Sequence, residues 1–471
     1  MGTISHMWAR RVKRLHFVGI GGAGMSGMAE VLLAMGFSIT GSDIAESETI
    51  DRLKHLGIPV HLSHEASHIT GADVVVISSA VQSDNPEVAA ALRTGVPVIR
   101  RAEMLGELMR LKFSVGIAGT HGKTTTTSMI GHILMRAGLD PTVIVGGRVI
   151  SLDANAQVGQ SQYLVAEADE YDHSFLCLHP TIALATNLEE DHLDCYSGLA
   201  DLQDNFIQFF QRVPFYGSVL TNIDSPALAA IHARINRRHR TYGFSEGADV
   251  RAVGLNLTSR SGRFELHADG KRVGDVEVML PGRHNAENAL AAAAAALEME
   301  IEFGAIHDAL RSFTGVGRRF ELIGAKSGIT VVDDYGHHPT EVKAALAAGR
   351  LWLDGKGKLI AIFQPHLFSR TRDFYRQFAE VLSGADGVIL APIYPAREQP
   401  MPGVTSALIS DELKSARFPL GSHLAGQLDD VVNLALEMAR PGDLIMTIGA
   451  GSIYRMAPRI VAGLNAVGVA S

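Results

Sequence analysis

Apolar residues fall along the chain in runs of four to six, each followed by a longer amphipathic stretch. Leu15–Ile20 is followed by a helical pattern over Gly24–Met35, Phe37–Gly41 by one over Ser47–Leu56, and Asp73–Ser78 is a third short run. This alternation predicts parallel strands flanked by helices. A helix over Arg101–Leu111 closes the first group. A second group begins with Phe113–Ala118, a glycine loop and a helix over Lys123–Ala137. It extends to about Thr314, with a β-like alternation over Thr241–Asp275 and an alanine-rich helix after Asn285. A third begins near Gly317 and holds Ile329–Asp333, a helix over Pro339–Ala348, Leu359–Phe363, Gly387–Leu390 and Leu444–Ile448. The expected fold class is α/β with three domains, over 8–111, 112–316 and 317–471.

Length supports the division. At 471 residues the chain exceeds the roughly 250–300 residues at which single cores stop growing. The formal net charge of −8 speaks against nucleic acid or an anionic membrane as partner, which leaves small-molecule substrates. A monomer or homodimer is expected. Two cysteines, Cys177 and Cys195, give no disulfide framework, so a reducing cytoplasm is the expected compartment. Ala289–Leu297, the longest apolar run, is far short of the ~20 residues of a membrane span. The opening Met1–Met7 reads as an added leader outside the fold, and the basic stretch after it runs into too short an apolar run for a signal peptide.

Two glycine loops carry the first chemistry. Gly19-Ile-Gly21-Gly22-Ala23-Gly24 fits G-x-G-x-x-G between a strand and a helix, where a diphosphate meets a helix N-terminus. Asp43 follows the next strand, placed for a ribose hydroxyl. Taken alone this suits NAD, another nucleotide or plain tight packing. Gly119-Thr120-His121-Gly122-Lys123-Thr124-Thr125 is a phosphate loop, shortened because Ile117 stands where the strict pattern has glycine. Its amides would cradle ATP phosphates, Lys123 would reach the β- and γ-phosphates, and Thr124 would ligate Mg²⁺.

Further polar loops follow predicted strands. Glu167-Ala-Asp169-Glu170-Tyr-Asp172 suits Mg²⁺, or is a solvated acidic loop. Asp191-His192-Leu-Asp194 suits metal or phosphate work, although a lone histidine is more often structural. Cys195 has no ligand-spaced second pair, so zinc is rejected. Gly282-Arg-His-Asn285 with Asn288, Arg318-Arg319-Phe-Glu321, Asp333-Asp334-Tyr335-Gly-His337-His-Pro-Thr340, and Gln364-Pro-His366 with Arg370 and Arg372 complete the set. Such loops in every group imply that they serve one site.

Together these residues resemble the Mur ligase family from about Leu15 onward. The resemblance rests on His16-Phe-Val-Gly-Ile-Gly-Gly-Ala-Gly-Met-Ser-Gly27, Gly119-Thr-His-Gly-Lys-Thr-Thr-Thr-Thr127, Glu167-Ala-Asp-Glu170, Asp333-Asp-Tyr-Gly-His-His-Pro-Thr-Glu341 and Gln364-Pro-His366. It implies a Rossmann-like first domain, a P-loop-type central ATPase domain and a Rossmann-like C-terminal domain. It also implies an ADP-forming ligase that joins L-alanine to UDP-N-acetylmuramate through an acyl phosphate, with ATP and Mg²⁺ as cofactors.

On that reading the first glycine loop holds the UDP diphosphate rather than NAD, with Gly21, Gly22, Ala23, Gly24, Met25, Ser26, Asp43 and Ser79 as its site. ATP falls to Gly119 through Thr125 with Asn285, Asn288, Arg319 and Asp334. Thr124, Glu167 and His192 are the metal ligands implied. Tyr335, His337 and Arg370 would receive the amino acid, and Lys123, His192, His337 and Arg370 would carry the chemistry. Rival readings are a sister ligase adding another amino acid or a peptide, an NAD-dependent oxidoreductase, and a non-catalytic UDP-sugar-binding regulator.

Two residues depart from the family pattern: Leu367, where a basic residue is common, and Ser452, where Asn or Asp is usual. Several family members carry a lysine whose carbamate helps to bind a second metal. No lysine occurs here between Lys123 and Lys271, so activity independent of dissolved CO₂ is expected.

Overall fold

A computed structural model describes residues 11–78, 80–149, 154–190, 195–396, 398–414, 418 and 420–464. Its strands fall into three sheets. Arg14–Val18 (β1), Ser38–Ser42 (β2), Val60–His61 (β3), Val74–Ile77 (β4) and Val98–Arg100 (β5) pair in the order β3-β2-β1-β4-β5, all parallel. The short β3 and β5, and the helix Pro86–Thr94, had no clear periodic signal in the sequence. Local chemistry sets their limits. Asn85 caps that helix through Glu87 N, Pro86 occupies its first turn, and Gly95 ends it at φ +74°.

The second sheet comprises Phe113–Ala118 (β6), Thr142–Val149 (β7), Ala154–Gln157 (β8), Tyr163–Glu167 (β9), Ile182–Ala185 (β10), Ser218–Asn222 (β11), His239–Gly243 (β12), Val250–Leu257 (β13), Gly262–Ala268 (β14) and Lys271–Val278 (β15). Its order is β15-β14-β13-β12-β11-β10-β6-β9-β7-β8, with β6 parallel to both β10 and β9. The third sheet holds Glu321–Lys326 (β16), Ile329–Asp334 (β17), Leu359–Phe363 (β18), Gly387–Leu390 (β19), Ser422–Leu424 (β20) and Leu444–Ile448 (β21), in the order β16-β17-β21-β18-β19-β20. Only its β16–β17 pair is antiparallel.

The chain forms two compact units. The first comprises Met1–Val253, Glu265–Val276 and Asn288–Phe313, and holds the first sheet and most of the second. The second comprises Gly254–Phe264, Glu277–Glu287 and Thr314–Ser471, with the third sheet. In that unit β18 is buried on both faces: Leu359, Ala361 and Phe363 pack into one apolar cluster, Ile360 and Ile362 into another. Helices on both sides of a parallel sheet require this continuous apolar run.

In the first unit one apolar cluster runs from Leu15 and Phe17 through Ile144 of β7 to Phe175, Phe206 and Phe209. The joint lies where helix Ala23–Ala34 meets the β7–β8 hairpin. A Cβ on Gly27 would lie 2.6 Å from Ala156 Cβ, so only glycine permits this approach. Gly27→Val should therefore destabilise the protein by roughly 1–3 kcal/mol through overpacking. Gly304, exposed in helix Phe303–Ser312 with nothing near its missing Cβ, is the control: Gly304→Ala should be neutral or stabilising. Urea unfolding monitored by circular dichroism compares the two, and equal stabilities would refute the packing argument.

Candidate functional site

The first glycine loop follows β1, which lies between β2 and β4, where the strand order reverses. Parallel sheets leave a ligand crevice at that point. Gly19 adopts φ +77°. The carbonyl of Ser42 accepts from the amides of Gly19 and Ile20 at 2.9 and 3.0 Å. Asp43 Oδ2 accepts from Gly21 N and Oδ1 from Ile44 N, both at 2.8 Å. A Cβ on Gly21 would lie 2.9 Å from Asp43 Oδ2. Both oxygens of Asp43 thus hold backbone and shape the loop. Ala23 opens the helix, Met25 is almost fully buried, and Ser26 is fully buried. Ser79 lies outside the described residues. Its neighbour Ser78 donates its amide to Val18 O at 3.3 Å and sits against Gly19.

The phosphate loop follows β6 at the centre of the second sheet. Gly119 and Gly122 adopt φ +132° and +84°, which favour glycine. Each also lacks room for a side chain: a Cβ would strike Thr186 Oγ1 at the first and Asn288 Oδ1 at the second. Asn187 braces the loop from the end of β10, with Oδ1 accepting from His121 N at 2.8 Å and Nδ2 donating to His121 O at 3.0 Å. Thr120 Oγ1 accepts from Glu189 N at 2.9 Å. Asn288 Oδ1 accepts from Thr126 Oγ1 at 3.3 Å. Helix Lys123–Arg136 then begins, Thr124 partly exposed and Thr125 buried. Ile117, at the position of the missing glycine, is a fully buried residue of β6, so the loop starts later than the strict pattern.

Lys123 Nζ donates to Gly119 O at 2.7 Å and to Glu170 Oε2 and Oε1 at 2.8 and 3.0 Å. Burial works against its charge, but Glu170, Asp169 and Glu167 outweigh burial and raise its pKa. These acids end or follow β9, the parallel neighbour of β6. Tyr196 donates its hydroxyl to the backbone carbonyl of Glu170. His173, at φ +54°, faces Asn205 Oδ1 at 3.0 Å from helix Leu199–Gln211. His192, with its flanking acids Asp191 and Asp194, lies outside the described residues.

A cleft of about 310 Å³ lies between the first glycine loop and the acids at the end of β9. Gly22, Gly24, Met25 and Arg101 line one part, Ile144 and Val145 of β7 the wall, and Glu167 and Asp169 the other part. Arg101, which opens helix Arg101–Leu111, lies over Gly24 so closely that a Cβ there would be 2.9 Å from Nη1. The cleft therefore offers a cation and first-turn helix amides beside the first loop, with carboxylates beside the second. Sequence reasoning had named Gly22, Gly24, Met25 and Glu167, with Asp169 in the acidic run, but not Arg101 or Ser78 as ligand-facing residues, nor Glu170 as the partner of Lys123. The basic pair Arg100-Arg101 after a strand was the available signal for the first. The acidic run after Tyr163–Val165 was the signal for the acids.

The second unit gathers Arg319, Asp334, Tyr335 and His337 around Glu341. Arg319 Nη1 donates to Glu341 Oε1 at 3.2 Å, His337 Nδ1 lies 3.1 Å from Glu341 Oε2, and both Arg318 and Arg319 stack on Tyr335. Burial opposes the Arg319 charge, but Glu341 and Asp334 hold it firmly protonated. Asp334 accepts from Gly336 N at 2.8 Å and Phe320 N at 2.9 Å. Burial, tempered by Arg319, pushes its carboxyl up to about 6. Arg370 is almost buried, with Nη1 3.4 Å from His366 Nδ1. His366 in turn stacks on Tyr394 and meets the His337 ring edge-on. Asn285 is buried and donates to Pro281 O at 2.8 Å, which ties it to its own loop. Leu367 adopts φ +70°, and Ser452 Oγ lies 3.5 Å from Gln364 Nε2.

A glycine loop at a switch point, a phosphate loop and strand-end carboxylates on parallel sheets define an α/β nucleotide-binding protein. Three family models cover the chain: "Mur ligase family, catalytic domain" over 14–113, "Mur ligase middle domain" over 117–296 and "Mur ligase, glutamate ligase domain" over 318–451. The chain belongs to the Mur ligase family. It is 46% identical over 459 residues to a UDP-N-acetylmuramate–L-alanine ligase of Geobacter sp. (strain M21), covering 97% of this chain and 98% of that one. It is 47% identical over 457 residues to the protein of that name in Acidobacterium capsulatum, with coverage of 97% and 98%. The crystal structure of a UDP-N-acetylmuramate-alanine ligase from Thermotoga maritima superposes with a TM-score of 0.78 at 28% identity, covering 96% of this chain and 99% of that chain.

His284 gives a direct check on the second unit. Burial first, then the nearby Arg319 charge, lowers its pKa to about 4 despite Glu341. The folded protein should keep this imidazole neutral throughout pH 5.5–8, its protonation coupled to unfolding at lower pH. Histidine-labelled NMR, assigned with a His284→Gln variant, should show no titration near 6.5. A midpoint there would show that burial and the Arg319 charge do not govern this imidazole.

Proposed function

We propose that this chain joins L-alanine to UDP-N-acetylmuramate with conversion of ATP to ADP and phosphate, the first amino-acid addition to the peptidoglycan precursor. The observation that carries the reading is the single cleft from the first glycine loop to the acids around Lys123. A sugar nucleotide on that loop, its diphosphate beside Arg101, directs its lactyl carboxylate toward the phosphate loop. Family membership sets aside hydride transfer at this loop. ATP, UDP-sugars and the paucity of cysteine all suit a cytoplasmic enzyme.

The chemistry follows from what a carboxylate lacks. It is a poor acyl donor because its leaving group would be oxide. The carboxylate oxygen attacks the γ-phosphorus, the bond to the β-phosphate oxygen breaks, and ADP leaves. The amine of alanine then adds to the acyl phosphate, phosphate leaves, and the amine loses its proton. Lys123 exchanges part of its hold on Glu170 and Gly119 O for phosphate oxygens and offsets their charge as it moves. Thr124, Glu167 and Asp169 offer hard oxygen donors beside that lysine, which fits Mg²⁺. When bound, Mg²⁺ would neutralise phosphate charge. His337, held by Glu341, is assigned to the amine and its proton, and Arg370 to the alanine carboxylate. Arg319 and Asp334 keep the ATP roles implied by the family resemblance.

Phosphate release with UDP-N-acetylmuramate, screened across amino acids, tests the assignment. L-Alanine should be preferred, and equal turnover with an acidic or basic amino acid would point to a sister ligase. Lys123→Ala should lower phosphate release by about 10²–10³-fold. Calorimetry should still find UDP-N-acetylmuramate bound by that variant, because the first glycine loop is built without Lys123.

The described part of the helix after β10 offers no amine for a carbamate. Among its buried residues the polar one is Asn205, whose Nδ2 donates to Asp201 O at 2.9 Å. Degassed, bicarbonate-free enzyme should therefore match enzyme given bicarbonate. A reversible stimulation would refute this.

A further inference from the structure

The first sheet contains a buried polar cluster that the reaction above does not use. Glu87, fully buried in helix Pro86–Thr94, is surrounded by possible donors. Ser42 Oγ donates to Oε2 at 2.6 Å, and His64 Nδ1 lies 2.9 Å from the same oxygen. His68 Nδ1 lies 2.9 Å from Oε1, and His16 Nε2 lies 3.4 Å from it, at ion-pair distance without hydrogen-bond geometry. Thr40 Oγ1, 2.8 Å from His16 Nδ1, and the His61 ring stacked on His68 close the cluster. Three imidazoles and a carboxylate could suggest zinc. Among the described residues, however, these donor atoms do not gather within the 4.8 Å that a shared ion needs.

A buried carboxylate costs stability unless its lone pairs are met. Here burial works against the charge, yet the His16, Ser42, His68 and His64 contacts outweigh it and bring the carboxyl down to about 2. The ionised group is thus a fixed acceptor, and Ser42 is tied to it. Ser42 is also the residue whose carbonyl receives the Gly19 and Ile20 amides. Its neighbour Asp43 receives the Gly21 amide. Three successive amides of the first glycine loop therefore rest on a two-residue strand end that Glu87 anchors from behind.

We propose that Glu87 is a positioning residue for the sugar-nucleotide site, acting through Ser42 on the backbone of the Gly19–Gly22 loop. The proposal rests on the assignment of that loop to UDP-N-acetylmuramate. An amide in place of the carboxylate would turn an NH₂ toward donors and loosen Ser42. An alanine at 42 would remove the tie while keeping the carbonyl.

The test is Ser42→Ala, with Glu87→Gln as a second variant, each assayed for the Michaelis constants of both nucleotides. The expected result for Ser42→Ala is a rise of about tenfold in KM for UDP-N-acetylmuramate, the loss of one hydrogen bond to a charged acceptor. The same rise should appear in the calorimetric Kd, with KM for ATP and kcat within about twofold of the parent. Glu87→Gln should shift the same constant, and the double variant should add little, because the two residues act as a unit. A purely structural role would lower the active fraction and kcat and leave both KM values in place, which would overturn the proposal. So would an equal rise in KM for ATP. Should Glu87→Gln fail to fold, Ser42→Ala decides alone. If the parent enzyme released no phosphate with UDP-N-acetylmuramate, the assigned function would fail. The positioning role would then be read from the Kd of UDP: a rise in Ser42→Ala supports it and an unchanged value overturns it.

Discussion

The contact of Gly27 with Ala156 fixes much of what the first unit can do. It brings helix Ala23–Ala34, the helix that starts in the first glycine loop, against the hairpin next to β9. Two consequences follow from that closeness. The wall residues Ile144 and Val145 come to lie beside Gly24 and Met25. The carboxylates after β9 then face the same space as the glycine loop after β1. Each loop on its own is a common phosphate-binding device. The cleft runs from the first glycine loop to the carboxylates at the end of β9.

The two cations nearest these loops are held in different ways. Arg101 stands beside the first loop, while Lys123 is held by Glu170 and the Gly119 carbonyl. A lysine fixed by a buried acid is a poor general base, since its pKa is raised. It suits an electrostatic role, in which a permanent cation follows phosphate charge. The strong bidentate hold of Glu170 also keeps Lys123 from wandering before ATP arrives, which lowers the ordering cost of the bound state.

Much of this was legible in the sequence because glycine and lysine spacing follows from backbone geometry. The two loops, the strands before them and the helices after them lie where the motifs put them. Distance in the chain hid the rest. Gly27 and Ala156 are separated by more than a hundred residues, and nothing in either neighbourhood announces the other. Arg101 looks like any solvated charge until the Gly24 backbone is seen beneath it. Strands β3 and β5 are too short for a period to emerge. The nature of the first nucleotide was not legible from its glycines alone, because NAD and UDP offer the same diphosphate.

Acids and amides at strand ends also build the loops that carry them. Asp43 takes the amides of Gly21 and Ile44, Asn187 takes the amide of His121, and Asp334 takes those of Phe320 and Gly336. Glu398 does the same for Phe368 and Ser369. Each is a charged or amide side chain in a loop that closes on a neighbouring turn. Such loops must leave the sheet with their amides satisfied, and a side-chain acceptor does this without a second strand. A sequence pattern of acid after strand therefore marks loop construction as readily as ligand contact. What remains to recognise an anionic substrate is the backbone of the loops so shaped and the few cations not already committed to building them. In the first unit that points to Arg101 beside one loop, with Lys123 released to phosphate from its acid at the other.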